Sequence, residues 1–568
     1  MVYYKIGLSI VIVIAITMKN RMILSARFFI GCLLTFLLYS ISADAQNCNP
    51  LSALIPMPNQ VDVREKETPF RVDARTLIAT NLPEGDFCVT QLQKVFRERM
   101  GISVPVACGK KVSAGVVELV LDASVEGKEH YMLEVSKKKM SIRASTKAGL
   151  YYGVKTLEQV LLGDVCRTEK GELAALCIDD APRFSRRALM LDPARHFYPV
   201  QDVKFFIEQM AHYKYNVLQL HLTDDQGWRV EIKSHPELTR VGGFCSPQQK
   251  GSENGFYTQQ QLKEIIAYAA QRNVEVVPEL DVPGHTTAVL RAFPELRCAH
   301  WQKEKLDGRQ PYHYMLCAAN EQVYALYDDI IREVASLFPS QHIHLGGDES
   351  VIEKNWSVCP RCQELKKRLG YKEDRQLMNE FFRPILASVR KYGKRATLWC
   401  ELDNIYPPVH EYLFDYPKDV TLVTWRMGLT PKCIELTAAG GHDLLMAPGE
   451  YAYLDYPQLK GDLPEFNNWG MPVTTLEKAY EFDPGYGLPE DEQRHIVGVM
   501  GTLWAEAMQD INRVTYMTYP RGLALAEAGW TQMAHRSWKS FCRRMYPNLL
   551  HLMTQGVSVR VPFEVVPR

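Results

Sequence analysis

Asp348 and Glu349 stand side by side at the end of "HIHLGGDE", where an apolar alternation runs into two glycines and then into two carboxylates. Consecutive residues leaving a strand point in different directions, so such a pair can enter one pocket and take different tasks there. The charge of Asp348, with partial burial, favours the protonated form of Glu349, the form a general acid needs. Groups of the same kind recur at the ends of other apolar runs. Asp192 and Arg195 follow "RRALMLD"; His221, Asp224 and Asp225 lie at the end of "YNVLQLHL"; His285 comes after "VEVVPELD". Trp399 and Glu401 end "KRATLWCE", Trp425 sits in "VTLVTWR", Tyr453 and Asp455 come after "HDLLMAP", and Trp504 and Glu506 end "IVGVMGTLW". Carboxylates with one arginine, two histidines and several indoles suit a sugar: aromatic faces stack on its C–H surfaces, while acids and guanidinium bind its hydroxyls.

Eight runs, "HIHLGG" among them, must bring these side chains together. Helical patterns such as "PVQDVKFFIEQMAHYK", "TQQQLKEIIAYAAQRN" and "VYALYDDIIREVASLF" lie between the runs. Eight strand–helix alternations predict an α/β architecture, a (β/α)8 TIM barrel over residues 183–568, with the site at the carboxyl ends of the strands. No GxGxxG follows the first strand, which argues against a dinucleotide fold. The stretch "YMTYPRGLALAEAGW" reads as the last helix. Residues 46–182 mix short strands ("VVELVLDAS", "HYMLEVSKKKMSIRAS") with an amphipathic helix, "GLYYGVKTLEQVLL". They predict a smaller α/β N-terminal domain that carries no catalytic cluster and buttresses the barrel.

With 568 residues the chain exceeds one ordinary core, and 66 basic against 66 acidic residues leave no net charge to attract nucleic acid or an anionic membrane. A small neutral partner fits better. Residues 1–45 read as a signal or leader segment: Arg21 and Arg27, an apolar run from Phe28 to Tyr39, then Ala43-Asp44-Ala45 as a cleavage site before Gln46. Met22 reads as the true start, with an uncleaved N-terminal membrane anchor as the alternative. Export to the periplasm or the medium is therefore expected, with no stable span once the leader is removed. Fourteen cysteines are compatible with an oxidising compartment. "CPRC" at 359–362 has no second CxxC to complete a metal knuckle, so a bridge between the two or a pair of free thiols is expected.

"LDPARHFYP", "HLTDDQGW", "DVPGH", "HLGGDE" and "YLDY" resemble, in order and spacing, the family 20 glycoside hydrolases, the β-N-acetylhexosaminidases. "GLYYGVKTLEQVLL" and "DDAPRF" are similar to that family's N-terminal domain, so the resemblance runs from about Pro56 to about Trp530. It implies an exo-hydrolase that removes terminal β-linked N-acetylhexosamine from glycans by substrate-assisted catalysis, an exception to the two-carboxylate scheme. It further implies Glu349 as general acid, Asp348 on the acetamido N–H, Tyr453 on the acetamido carbonyl, and Asp224 with His285 as a relay that tunes Glu349. Arg195, Asp455 and Glu506 would bind hydroxyls; Trp399, Trp425 and Trp504 would wall the pocket; His221 would stand behind them. No cofactor and no metal are implied; a homodimer is left open by the sequence.

Two departures stand out: Cys400 follows Trp399 where the family usually has aspartate, which puts Glu401 in question, and Ala188 stands where glycine is common. Simpler readings remain beside the resemblance. The Gly-Gly-Asp-Glu stretch suits a turn and helix cap, Arg195 could merely pair with Asp192, and Tyr451 competes with Tyr453. His221, His285, His342 and His344 could suggest zinc, although a structural histidine is the commoner outcome. Two other functions stay open: a retaining glycosidase whose nucleophile is Glu401 or Glu506, and a sugar-binding protein on a catalytically dead barrel.

Overall fold

Parallel strands buried on both faces, by helices outside and by one another's side chains within a barrel, are apolar along their whole length, and all eight runs form such strands. In chain order they are β1 (Arg186–Leu191), β2 (Val217–His221), β3 (Glu275–Glu279), β4 (His342–His344), β5 (Arg395–Trp399), β6 (Thr421–Thr424), β7 (Leu444–Met446) and β8 (Ile496–Leu503). Each pairs in parallel with the next, and β8 closes on β1 with Leu189 opposite Gly501. This computed structural model describes residues 49–108, 115–244, 254–301, 306, 314–401, 415–462 and 470–565. The leader and both candidate starts lie outside the described residues.

Side chains alternate across a strand, so every second residue faces the barrel axis. Ala188, Met190, Val217, Val277, Trp399, Val423, Leu445, Ala447 and Met500 pack there into one apolar plug, with Trp425 and Trp504 against it. Ala188 belongs to that plug, a packing position. Continuing the same alternation past the plug leads to the polar residues of the mouth. Met190 precedes Asp192, Trp399 precedes Glu401, Val423 precedes Trp425, and Trp504 precedes Glu506, each by two places.

The outer helices include Val200–His212, Gln259–Gln271, Glu321–Leu337 and Leu377–Lys391. Gln259–Gln271 starts on a reciprocal cap in which Thr258 accepts from the Gln261 N–H and the Gln261 side chain accepts from the Thr258 N–H. Arg521–Trp530 is not the last helix. Trp538–Thr554 follows, and its Asn548 side chain donates to the Ala53 carbonyl 2.9 Å away. Pro547 inside that helix, and the arginine pair before it, hide its periodicity from a sequence reading.

Ahead of the barrel lies a seven-stranded mixed sheet in the order Gln60–Val63, Leu176–Asp180, Tyr131–Val135, Lys139–Ala144, Val116–Leu121, Leu77–Thr80, Val106–Cys108. Helix Lys147–Gly163 is buried from Gly149 through Leu161, charged residues included, because it is covered on all sides. The sheet meets the barrel at Asp180, which accepts from the Tyr131 hydroxyl at 2.6 Å, Trp530 Nε1 at 2.9 Å and Lys214 Nζ at 3.3 Å. Lys214 and Asp180 are wholly buried.

Candidate active site

Gly346 and Gly347 let the chain turn sharply as it leaves β4. Their φ values are +65° and +101°, and a Cβ on Gly346 would stand 1.7 Å from Asp281 Oδ1. The same carboxylate accepts the Gly347 N–H at 3.2 Å. After this turn Asp348 points into the barrel, its side chain 9% exposed, while Glu349 stands at the rim with 46% of its side chain in solvent. Glu349 is thus partly buried, with nearly half of its side chain left open to whatever occupies the mouth. Glu349 (φ 46°) and His285 (φ 52°) both hold left-handed backbone without being glycine, a strain that persists where the surroundings over-determine it and that clusters at functional sites.

His285 Nε2 lies 3.7 Å from both Asp348 Oδ2 and Glu349 Oε2, and Nδ1 lies 3.2 Å from Asp224 Oδ2. Burial alone would push His285 down, but Asp224, with Asp348 and Asp281, holds it well above the ordinary imidazole value, so it carries a proton at neutral pH. Asp224 is itself held well below the carboxylate range against its burial, by Arg195 and His285. Arg195 Nη2 reaches Asp224 at 2.9 Å and Glu506 at 3.9 Å, and Nη1 reaches Asp192 at 3.1 Å. Its guanidinium also lies over the Trp504 ring, 4.9 Å from the centroid. The pair with Asp192 is therefore one part of a network that runs Arg195, Asp224, His285 and then the two acids.

Trp504 is the hub of the aromatic wall: Trp399 lies 5.6 Å and Tyr453 6.5 Å from it, centroid to centroid. Tyr453 faces this wall, whereas Tyr451 stacks on Phe482 at 5.3 Å on another face. Asp455 and Glu506 are raised above the ordinary carboxylate range. For Asp455 the causes are burial and then the charge of Glu506; for Glu506 burial dominates, offset by Arg195. Four buried polar atoms from four strand ends find no partner among the described residues: Asp348 Oδ1, Trp425 Nε1, Asp455 Oδ1 and Glu506 Oε2. Buried atoms without a partner occur elsewhere in the chain as well, but these four come together at the ends of four strands of one barrel, which suits a polar ligand.

Glu401 does not stand free at the mouth. Its Oε1 accepts from Arg426 Nη2 at 2.6 Å, and burial pushes it up to about 7 against that arginine. Asp225 accepts the Thr287 N–H at 2.9 Å and so ties down the helix Thr287–Ala292. Glu279, Asp281 and His344 were missed as members of the site. Glu279 is wholly buried and gathers His221 Nδ1 (2.9 Å), His344 Nδ1 (3.1 Å), Trp399 Nε1 (2.9 Å) and Gln219 (2.8 Å) into one layer under the mouth. A wholly buried acid closing the strand Glu275–Glu279 was the signal, since it must be paired. His221 thus stands behind the mouth as expected, and His342, half-buried, lies 3.3 Å from the Thr397 hydroxyl.

Outside the mouth, Glu158, His212 and His551 converge, but Arg99 lies between them, 3.1 Å from Glu158 and 3.2 Å from His551, and supplies the cation. Cys359 and Cys362 are not bridged to each other. Both are free, and they meet Cys298 and Cys317.

The chain matches two family models, "Glycosyl hydrolase family 20, domain 2" over residues 51–181 and "Glycosyl hydrolase family 20, catalytic domain" over residues 184–533. A β-hexosaminidase of Akkermansia muciniphila is 38% identical over 445 residues, covering 77% of this chain and 86% of that protein. A β-hexosaminidase of Porphyromonas gingivalis is 33% identical over 525 residues, and there the match spans 90% of this chain and 65% of the relative. Among solved structures, the exo-β-N-acetylglucosaminidase of Vibrio harveyi in complex with N-acetylglucosamine superposes with a TM-score of 0.77 at 30% identity, covering 91% of this chain and 79% of that one. With the catalytic model in register across the barrel and the second model across the sheet before it, the chain belongs to glycosyl hydrolase family 20.

Proposed function

We propose that Asp348, Glu349 and Tyr453 carry out the exo-β-N-acetylhexosaminidase reaction of this family on terminal, non-reducing N-acetylhexosamine. The observation that carries the assignment is the split of the acid pair: Asp348 buried with Oδ1 unbonded, Glu349 at the rim, both 3.7 Å from a protonated His285. The acetamido carbonyl oxygen of the bound sugar attacks its own anomeric carbon while Glu349 protonates the departing glycosidic oxygen. Asp348 accepts the acetamido N–H and offsets the positive charge that grows there. Tyr453 donates to the attacking carbonyl oxygen. Glu349, now a carboxylate, takes a proton from water, which opens the oxazolinium ring and returns the original anomeric configuration. Because the nucleophile arrives bound to its target, orientation alone can lower the barrier by about 7–11 kcal/mol.

Arg195, Asp455 and Glu506 bind ring hydroxyls; the raised Asp455 and Glu506 can offer a donor as well as acceptors to groups that do both. Trp399, Trp425 and Trp504 hold the acetamido methyl and the sugar face. The N-acetylglucosamine bound in the Vibrio harveyi neighbour is the kind of residue this mouth would take. Export is part of the same reading. It is supported by the leader-like residues 1–45 and by a disulfide at Cys166, and among the described residues no helix is long and apolar enough to cross a membrane.

The decisive comparison is an aryl β-N-acetylglucosaminide against the matching aryl β-glucoside. Removing the acetamido group should abolish turnover, a thiazoline mimic of the cyclic intermediate should inhibit strongly, and Asp348→Asn should lower kcat by roughly 100-fold or more. Equal rates on both glycosides, or covalent labelling of Glu401 or Glu506, would sink the proposal.

A further inference from the structure

Four cysteines lie away from the mouth and take no part in the chemistry above. Cys298 and Cys317 belong to the segment after β3, which also holds His285. Cys359 and Cys362 belong to the segment after β4, which holds Asp348 and Glu349. All four are wholly buried, and their sulfurs all lie within 4.8 Å of one another. Cys317 and Cys362 Sγ are 3.6 Å apart. A disulfide needs about 2.05 Å, whereas four sulfurs at about 2.3 Å from a tetrahedral metal stand about 3.8 Å apart. Thiols packed merely as small hydrophobes have no reason to aim at one centre from three separate stretches of chain.

We infer that Cys298, Cys317, Cys359 and Cys362 bind one zinc ion as a tetrathiolate, which staples the segment carrying His285 to the segment carrying the acid pair. The donor set of four sulfurs selects zinc or a single iron, and zinc suits a structural site because it undergoes no redox chemistry. Binding releases the four thiol protons to solvent and leaves the cluster with two negative charges. Cys359 is the residue before the helix Pro360–Leu369, and Cys362 lies in that helix's first turn, so the short CPRC spacing brings two of the four sulfurs to the cluster from one helix start.

The two segments are joined around this cluster in three further places. Trp356 Nε1 donates to the Leu316 carbonyl at 2.9 Å, Trp301 Nε1 to Asn355 Oδ1 at 2.9 Å, and His300 Nε2 meets the Lys354 carbonyl at 2.9 Å. Leu316, next to Cys317, in turn donates its N–H to the Pro283 carbonyl at 3.0 Å, two residues from His285. A metal at the cysteines therefore fixes the separation of His285 from Glu349 without touching substrate. The four cysteines position the site and are not catalytic.

The test is elemental analysis of the full chain, purified without a metal-binding tag from medium that contains both zinc and iron. One zinc per chain is expected, released together with four titratable thiols by an organomercurial in the presence of a zinc-sensitive dye. Replacing the zinc by cobalt should give the intense visible bands of a tetrahedral thiolate complex. Cys298→Ser/Cys317→Ser should lose the zinc and lower the unfolding midpoint by about 5 °C or more. If that variant does not fold, the metal content of the wild-type chain decides alone. Wild-type protein that holds no metal, with these cysteines joined in disulfides or left as four free thiols, overturns the inference; so does iron in place of zinc.

Discussion

On the proposed assignment the chemistry of the acid pair turns on His285, because its Nε2 lies 3.7 Å from Glu349, the proposed proton donor. A positive charge there would offset the carboxylate left on Glu349 as the glycosidic oxygen departs. In His285→Gln that offset is gone, and kcat on an aryl N-acetylglucosaminide is expected to fall roughly 10–100-fold. A folded variant with the kcat of wild type would contradict this arrangement. The same charges set a stability window. His285, raised in the fold, contributes fully below its ordinary value of about 6.5, and the contribution is lost as pH rises through the raised value. Asp224, depressed in the fold, contributes above about 3.9, and its share is lost as pH falls through the lowered value.

The turn after β4 shows how an element sets a side chain. Gly346→Ala puts a methyl against Asp281 in a left-handed conformation, and an expected cost of about 1–3 kcal/mol comes with a misplaced acid pair and a loss of roughly 100-fold in kcat. Gly370→Ala is the control: its φ is +70° with nothing near its Cβ, so a cost of about 1 kcal/mol and unchanged kcat are expected. Circular-dichroism melts beside initial rates separate the two cases. The eight strands were legible because burial on both faces makes each one an unbroken apolar run. The mouth residues were legible because each stands just past such a run. Glu279 and His344 were not, since a buried polar layer looks like the end of a strand until its partners are known. The cysteine cluster was hidden for a related reason: "CPRC" announces half a site, and its complement comes as two single cysteines in another segment.

At the scale of the whole chain, the sheet before the barrel holds the floor of the barrel rather than its mouth. Lys214 precedes β2, at the end away from the acids, and with Tyr131 and Trp530 it satisfies the buried Asp180. Lys214→Met leaves that carboxylate short of a partner and is expected to cost about 3–5 kcal/mol, seen as a lower midpoint in urea, with kcat/KM of the folded protein unchanged. A variant as stable as wild type, or one that loses kcat/KM while fully folded, would mean that this junction does something else. The plug of apolar side chains inside the barrel has a consequence for what can enter from above. Packed indole and aliphatic carbon form a floor, and Glu349 stands at the rim. On the proposed exo reading a sugar chain enters by its tip, and it is expected to shorten from that tip one unit at a time.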